Sequence, residues 1–90
     1  MITVGICGLG AIGMKVARAL DAGAVEGVRL AAVSARDLEG ARARLAGFAA
    51  APQVVPAERL PELADVVVEC SPAAVFETVA RATVEAGRIL

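Results

Sequence analysis

Histidine, tyrosine and tryptophan are all missing from these ninety residues. Without histidine the chain lacks the commonest general acid and base at neutral pH. That composition points to a binding domain rather than a self-sufficient enzyme, and no residue is assigned a catalytic role. Cysteine is scarce as well. Cys7 and Cys70 stand far apart, form no CxxC pair and have no histidine to join, which argues against a zinc site. Each ends an apolar run and reads as a buried, reduced thiol acting as a small hydrophobe. An excess of charge of either sign is lacking too: nine Lys and Arg face ten Asp and Glu, for a net −1. The chain therefore offers no basic patch of the kind a nucleic-acid surface needs. Although 58% of the residues are apolar, no apolar run is long and uninterrupted enough to span a bilayer. The stretch from Met1 to Gly13 lacks the basic start of a signal peptide. The expected setting is the cytoplasm, with neither nucleic acid nor membrane as partner.

What is present is an alternation of strand-like and helix-like patterns. Ile2 to Cys7 reads as a short buried strand, and Gly8 to Gly13 as a glycine-rich turn entering a helix. Along that helix Ile12, Val16 and Leu20 fall on one face, with Lys15, Arg18 and Asp21 on the other. Gly23 is the expected stop. Val28 to Ser34 reads as a second strand. Asp37 is the expected N-cap of a second helix, with Leu38, Ala41, Leu45 and Phe48 at helical spacing and Gly47 near its end. Gln53 to Val55 suits a short third strand. Pro56 and Pro61 limit the next stretch to a turn of helix around Glu58 to Leu60. The alanines of 46–51 read as compositional bias. Asp65 to Glu69 is a fourth strand, built on Val66, Val67 and Val68. Ser71 suits an N-cap and Pro72 the first position of a helix running to about Ala86, with Gly87 as its stop. Arg88, Ile89 and Leu90 resemble the start of one more strand. The whole chain, 1–90, is then one α/β domain.

Short valine-rich strands alternating with helices imply a parallel sheet covered on both faces. Right-handed crossovers restrict it to a Rossmann-type doubly wound sheet in the order 3-2-1-4-5. An ending within a strand marks the chain as a fragment of a longer one, whose remainder would complete the sheet and hold a substrate domain.

Gly8-Leu9-Gly10-Ala11-Ile12-Gly13 matches G-x-G-x-x-G. It follows a strand, opens an amphipathic helix and lies in a βαβ unit of the right length, and that context makes it a dinucleotide-binding signal. Gly8 allows the tight turn, Gly10 lets the backbone approach a pyrophosphate, and Gly13 lets helix pack on strand. The N–H groups around Ala11 and Ile12 face the phosphates at the positive end of the helix dipole. At the end of the second strand, where NAD sites place an acid about 20 residues on, this chain has Ser34, with Arg36 close behind. A serine removes the charge that would repel a 2′-phosphate and an arginine can pair with one, which leans toward NADP over NAD. At the fourth strand's end, Cys70 and Ser71 are expected along the nicotinamide half of the cofactor. Ser71 also suits a plain helix cap and Glu69 a plain ion pair, and Glu69 is not read as catalytic.

The segments Val4 to Gly13, Ala32-Val33-Ser34-Ala35-Arg36 and Val67-Val68-Glu69-Cys70-Ser71-Pro72-Ala73-Ala74-Val75 together resemble the amino-terminal domain of L-aspartate dehydrogenases. The resemblance covers nearly the whole chain, and its most specific part is Val-Glu-Cys-Ser-Pro leading into a helix. It implies oxidation of L-aspartate to iminoaspartate with NAD(P)+, a step toward NAD biosynthesis, assisted by a histidine of the second domain that has no counterpart here. Implied partners are the dinucleotide, a small amino-acid substrate in the full-length protein, and further copies in a homo-oligomer. Ser34 departs from family members with an acid at that position. Homoserine dehydrogenases, dihydrodipicolinate reductases and sugar oxidoreductases share much of the pattern, and a non-catalytic dinucleotide-sensing module would use the same fold.

Overall fold

Strand β1 (Ile2–Cys7) runs between β2 (Val28–Ser34) and β4 (Val66–Glu69), parallel to both. The computed structural model describes residues 1–70 and 73–89, with the backbone alone for 73–78. The short β3 (Gln53–Val54) flanks β2, so the sheet order is β3-β2-β1-β4. Beyond β4, Ile89 makes a parallel bridge to Val66, with Val67 N–H donating to the Ile89 carbonyl at 2.7 Å. The chain thus returns on the outer side of β4, where the order 3-2-1-4-5 puts its last strand. Leu90 lies outside the described residues.

Every strand is parallel, so helices must cover both faces. Helices α1 (Ala11–Asp21) and α2 (Leu38–Arg44) cover one of them, over Val4, Ile6, Leu30 and Val33. The short α3 (Leu60–Leu63) and α4 (Ala73–Glu85) cover the other, where Cys7, Ala32, Leu60, Val67 and Val79 are buried together. Side chains alternate between faces along β1 and β4. In β2 the register with β1 slips between Val4 and Gly5, which skips Ala31, so Leu30 and Val33 reach the same face three residues apart. Each fully buried aliphatic side chain contributes roughly 1.5–3 kcal/mol, and Ile6, Leu30 and Leu60 are such residues.

Four local expectations are corrected. The buried face of α1 is Gly13, Met14 and Ala17, flanked by the partly buried Val16 and Leu20, whereas Ile12 is 71% exposed. Gly13 and Ala17 keep this face slim where the helix meets the turn, and the unbranched Met14 packs beside them. Asp21 is not a solvated residue of the opposite face. Its carboxylate accepts from the N–H of Ala49 at 3.1 Å and of Ala50 at 2.8 Å, so the alanine-rich 46–51 loop is held in place by a specific carboxylate. Helix α2 ends at Arg44, before Gly47 and Phe48. Pro61 does not break helix: it stands at the second position of α3, following a 3₁₀ turn over Ala57–Arg59, where a missing N–H costs nothing. The ends of α4 agree with expectation, since Gly87 has φ +72° and its N–H donates to the Val84 carbonyl. Ser71 and Pro72, expected to open that helix, lie outside the described residues.

Candidate functional site

The chain leaves β1 through Gly8, whose φ of +99° is accessible to glycine and strained for other residues. Its N–H still reaches across to the Ser34 carbonyl at 2.7 Å, so the turn begins tied to the end of β2. At the far end of the motif, Gly13 rests against Gly8: a β-carbon there would collide with the Gly8 carbonyl oxygen and stand 3.6 Å from the Cys70 Cβ. Gly10 differs from both. A β-carbon built on it meets nothing within 4 Å, and its φ and ψ of −72° and −165° are ordinary extended values. It is needed neither for the turn nor for packing, and the space a side chain would fill is open.

Gly10 is also the N-cap of α1, and it supplies no side-chain hydrogen bond to the helix. No acidic residue stands in the first turn. The first N–H groups of an α-helix have no partner within it and carry the positive end of its dipole. An uncapped glycine turn with no acid in the helix's first turn is therefore fitted to receive an anion, and a cradle that a Cβ would fill admits a diphosphate. The geometry fits a dinucleotide cofactor.

Around this turn opens a cleft of about 920 Å³ at the carboxyl ends of the strands. It runs from Cys7, Gly8, Leu9 and Gly10 through Ser34 and Arg36 to Pro56 and Ala57, with Cys70 on its wall. This is where open parallel sheets bind ligands, beside the point at which the winding reverses. Of the residues expected here, Gly8, Gly10, Ser34, Arg36 and Cys70 line the cleft. Ala11 instead lines an adjoining groove of about 370 Å³ with Arg18 and Arg44. Gly13 is buried under the turn, and the Ile12 side chain points to solvent, leaving its backbone as its only means of serving the site. Ser71 lies outside the described residues.

Ser34 is only 3% exposed, whereas Arg36 is exposed. Asp37, the acid lining the cleft, is engaged elsewhere: its carboxylate accepts from the Gly40 N–H at 3.0 Å and caps α2. The two cysteines, distant in sequence, meet here. The Cys70 N–H donates to the Cys7 carbonyl at 2.8 Å, yet Cys7 packs into one face of the sheet and Cys70 against the other. Neither is in a disulfide. Burial, with a smaller contribution from the neighbouring Glu69 charge, pushes the Cys70 thiol above its ordinary value. Cys70 is thus a poor nucleophile on the cleft wall.

Sequence reasoning missed Arg44, Pro56 and Ala57. Arg44 reaches from the end of α2 to the glycine turn, where its Nη1 donates to the Leu9 carbonyl at 2.7 Å. Nothing in the local pattern signals a contact over 35 residues.

Comparison with known proteins agrees with this geometry. The chain is 44% identical over 87 residues to an L-aspartate dehydrogenase of Bradyrhizobium diazoefficiens, covering 97% of this chain and 30% of that protein. It is 41% identical to L-aspartate dehydrogenase 3 of Bordetella bronchiseptica, covering 94% and 31%. The chain therefore spans about a third of the length of these curated relatives. Among solved structures, myo-inositol dehydrogenase from Lactobacillus casei in complex with NAD(H) and myo-inositol superimposes with a TM-score of 0.84 at 23% identity, over 98% of this chain and 26% of that one. At that identity the likeness concerns the fold. The family model described as "Homoserine dehydrogenase, NAD binding domain" matches residues 8–88, from the first glycine of the turn to the edge of the sheet, and the chain belongs to that family of NAD-binding domains.

Proposed function

We propose that this chain is the cofactor-binding part of an amino-acid dehydrogenase of the L-aspartate type, using NADP(H) or NAD(H) in the cytoplasm. The observation that carries the reading is Gly10, whose missing side chain serves no purpose in the fold and opens the mouth of the cleft. In this reading Gly8 and Gly13 shape the turn. Gly10 and the N–H groups of Ala11 and Ile12 hold the diphosphate. Ser34 and Arg36 face the adenosine ribose, and Cys70 and Ser71 border the nicotinamide. When bound, the nicotinamide supplies a hydride acceptor for the substrate's α-carbon. The chain's own residues bind and orient it, and a histidine-free sequence leaves proton transfer to residues outside these ninety. The relatives' identity of 44% and 41% supports aspartate as substrate, while the family description supports homoserine as the alternative.

Titration of NADH and NADPH against the protein, read by nicotinamide fluorescence in a chain without tryptophan, tests the reading. Gly10→Val should leave the fold intact and abolish binding of both. Unchanged affinity in the folded variant would remove the diphosphate from this turn. The ninety-residue chain alone should bind weakly and show no aspartate-dependent NAD(P)H formation.

A further inference from the structure

Among the described residues two arginines, Arg36 and Arg44, line the cleft, and the proposed function employs only Arg36. We propose that Arg44 is a second specificity-determining residue, presenting its guanidinium to the 2′-phosphate of NADP(H) from the side of the glycine turn. This rests on the assignment of Ser34 and Arg36 to the adenosine ribose.

Arg44 borders both the cleft and the groove beside Gly10. Its bond to the Leu9 carbonyl uses one donor, and a guanidinium has five. Immobilising a free arginine costs rotamer entropy, and the Leu9 bond meets much of that cost before any ligand arrives. The bond also alters the sign of the local field. A bare carbonyl oxygen at the mouth of a phosphate site repels an anion, whereas one covered by a guanidinium does not. One acid, Asp37, lines the cleft among the described residues, and it is held by the Gly40 N–H at the start of α2, so the two arginines outnumber it. The diphosphate, served by backbone N–H groups, leaves this charge without a task. A 2′-phosphate gives it one, since Arg44 shares its wall with Ser34, Ala35 and Arg36 at the end of β2.

Calorimetry on the full chain decides the matter with two probes: 2′,5′-ADP, which carries a 2′-phosphate besides its 5′-phosphate, and 5′-AMP, which carries the 5′-phosphate alone. Arg44→Gln keeps a donor for Leu9 and loses the charge. It should weaken 2′,5′-ADP by about tenfold, the scale of one charged hydrogen bond, and leave 5′-AMP within about twofold. Arg44→Lys keeps the charge and should stay within about threefold of the parent for both. Equal losses with both probes, or no loss with either, would overturn the proposal. Arg36→Ala, measured in parallel, separates the two readings. If it erases discrimination while Arg44→Gln does not, the ribose assignment stands and the Arg44 proposal falls. A parent that binds the two probes equally sinks both.

Discussion

Gly13 of α1 rests directly on the carbonyl of Gly8, leaving no room for a β-carbon between helix and turn. Two glycines of one motif thus depend on each other, while the third, Gly10, depends on neither. Gly13→Ala should cost at least about 1–3 kcal/mol, the usual penalty for overpacking, because the obstacle is backbone and cannot rotate away. Gly10→Ala should cost far less, since its β-carbon meets nothing. Urea unfolding of the two variants checks the contrast, and equal destabilisation would contradict it.

A second link joins the sheet's central strand to its edge. The Asp65 carboxylate accepts from the Thr3 N–H at 3.1 Å and the Thr3 hydroxyl at 3.0 Å. Those bonds, the backbone one foremost, hold its carboxyl below the ordinary 3.8. A depressed carboxylate contributes stability that is fully present above its unfolded value and is lost as pH falls through its folded one. The acid limb should therefore steepen below about pH 4. Asp65→Asn should flatten that limb and lower stability at neutral pH, as read from urea midpoints across the range. An unchanged acid limb would show that the clamp does not form in solution.

Cys70 offers a chemical readout of the cleft. Its thiol is raised by burial and by Glu69, so its alkylation by iodoacetamide should accelerate only at higher pH than that of an ordinary thiol. Cys7, 2% exposed, should stay unmodified in the native protein. Saturating NADPH should slow alkylation of Cys70, and mass spectrometry of the labelled peptide would show it. Fast labelling at neutral pH would mean that the wall is open to solvent at Cys70.

Much of this architecture is legible in the sequence because it repeats locally. Short apolar runs specify the strands, and the glycine spacing specifies the turn after β1. The errors share a cause. Hydrophobicity alone puts Ile12 on the core face of α1, but Gly13 packs against the Gly8 backbone and turns the neighbouring face inward, so Met14 and Ala17 are buried instead. The bonds from Asp21 to the 49–50 backbone and from Arg44 to Leu9 span 28 to 35 residues. Such contacts arise from packing α1 beside α2, which no periodicity encodes.

Thr83 places a hydroxyl in the core. Its residue is fully buried, and its hydroxyl has no hydrogen-bond partner among the described residues. A buried, unsatisfied hydroxyl costs about 1–3 kcal/mol, and an apolar group of the same shape removes that cost. Thr83→Val should therefore raise the unfolding free energy by about 1 kcal/mol or more, with cofactor affinity unchanged. A loss of stability would mean that the hydroxyl finds a partner in solution.

Cofactor choice can be tested at Ser34, where the burial matters. An aspartate there would accept hydrogen bonds from the ribose hydroxyls and repel a 2′-phosphate at short range. Hydrogen bonds to a charged group are worth on the order of 1.5–3 kcal/mol, enough for about a tenfold change in the ratio of affinities toward NAD(H). Ser34 is 3% exposed without ligand, so the new carboxylate would be partly desolvated and the unliganded variant should be less stable. Bound NAD+ offers it donors, and the loss should shrink in its presence, whereas NADP+ should give no such recovery. Thermal unfolding of Ser34→Asp with each cofactor, set beside the parent, therefore reports on both affinity and contact. Arg36→Ala should weaken NADP(H) much more than NAD(H), because only the former offers a phosphate for the guanidinium to grip. If both substitutions change the two affinities by equal factors, neither residue faces the ribose, and the preference for NADP(H) loses its basis.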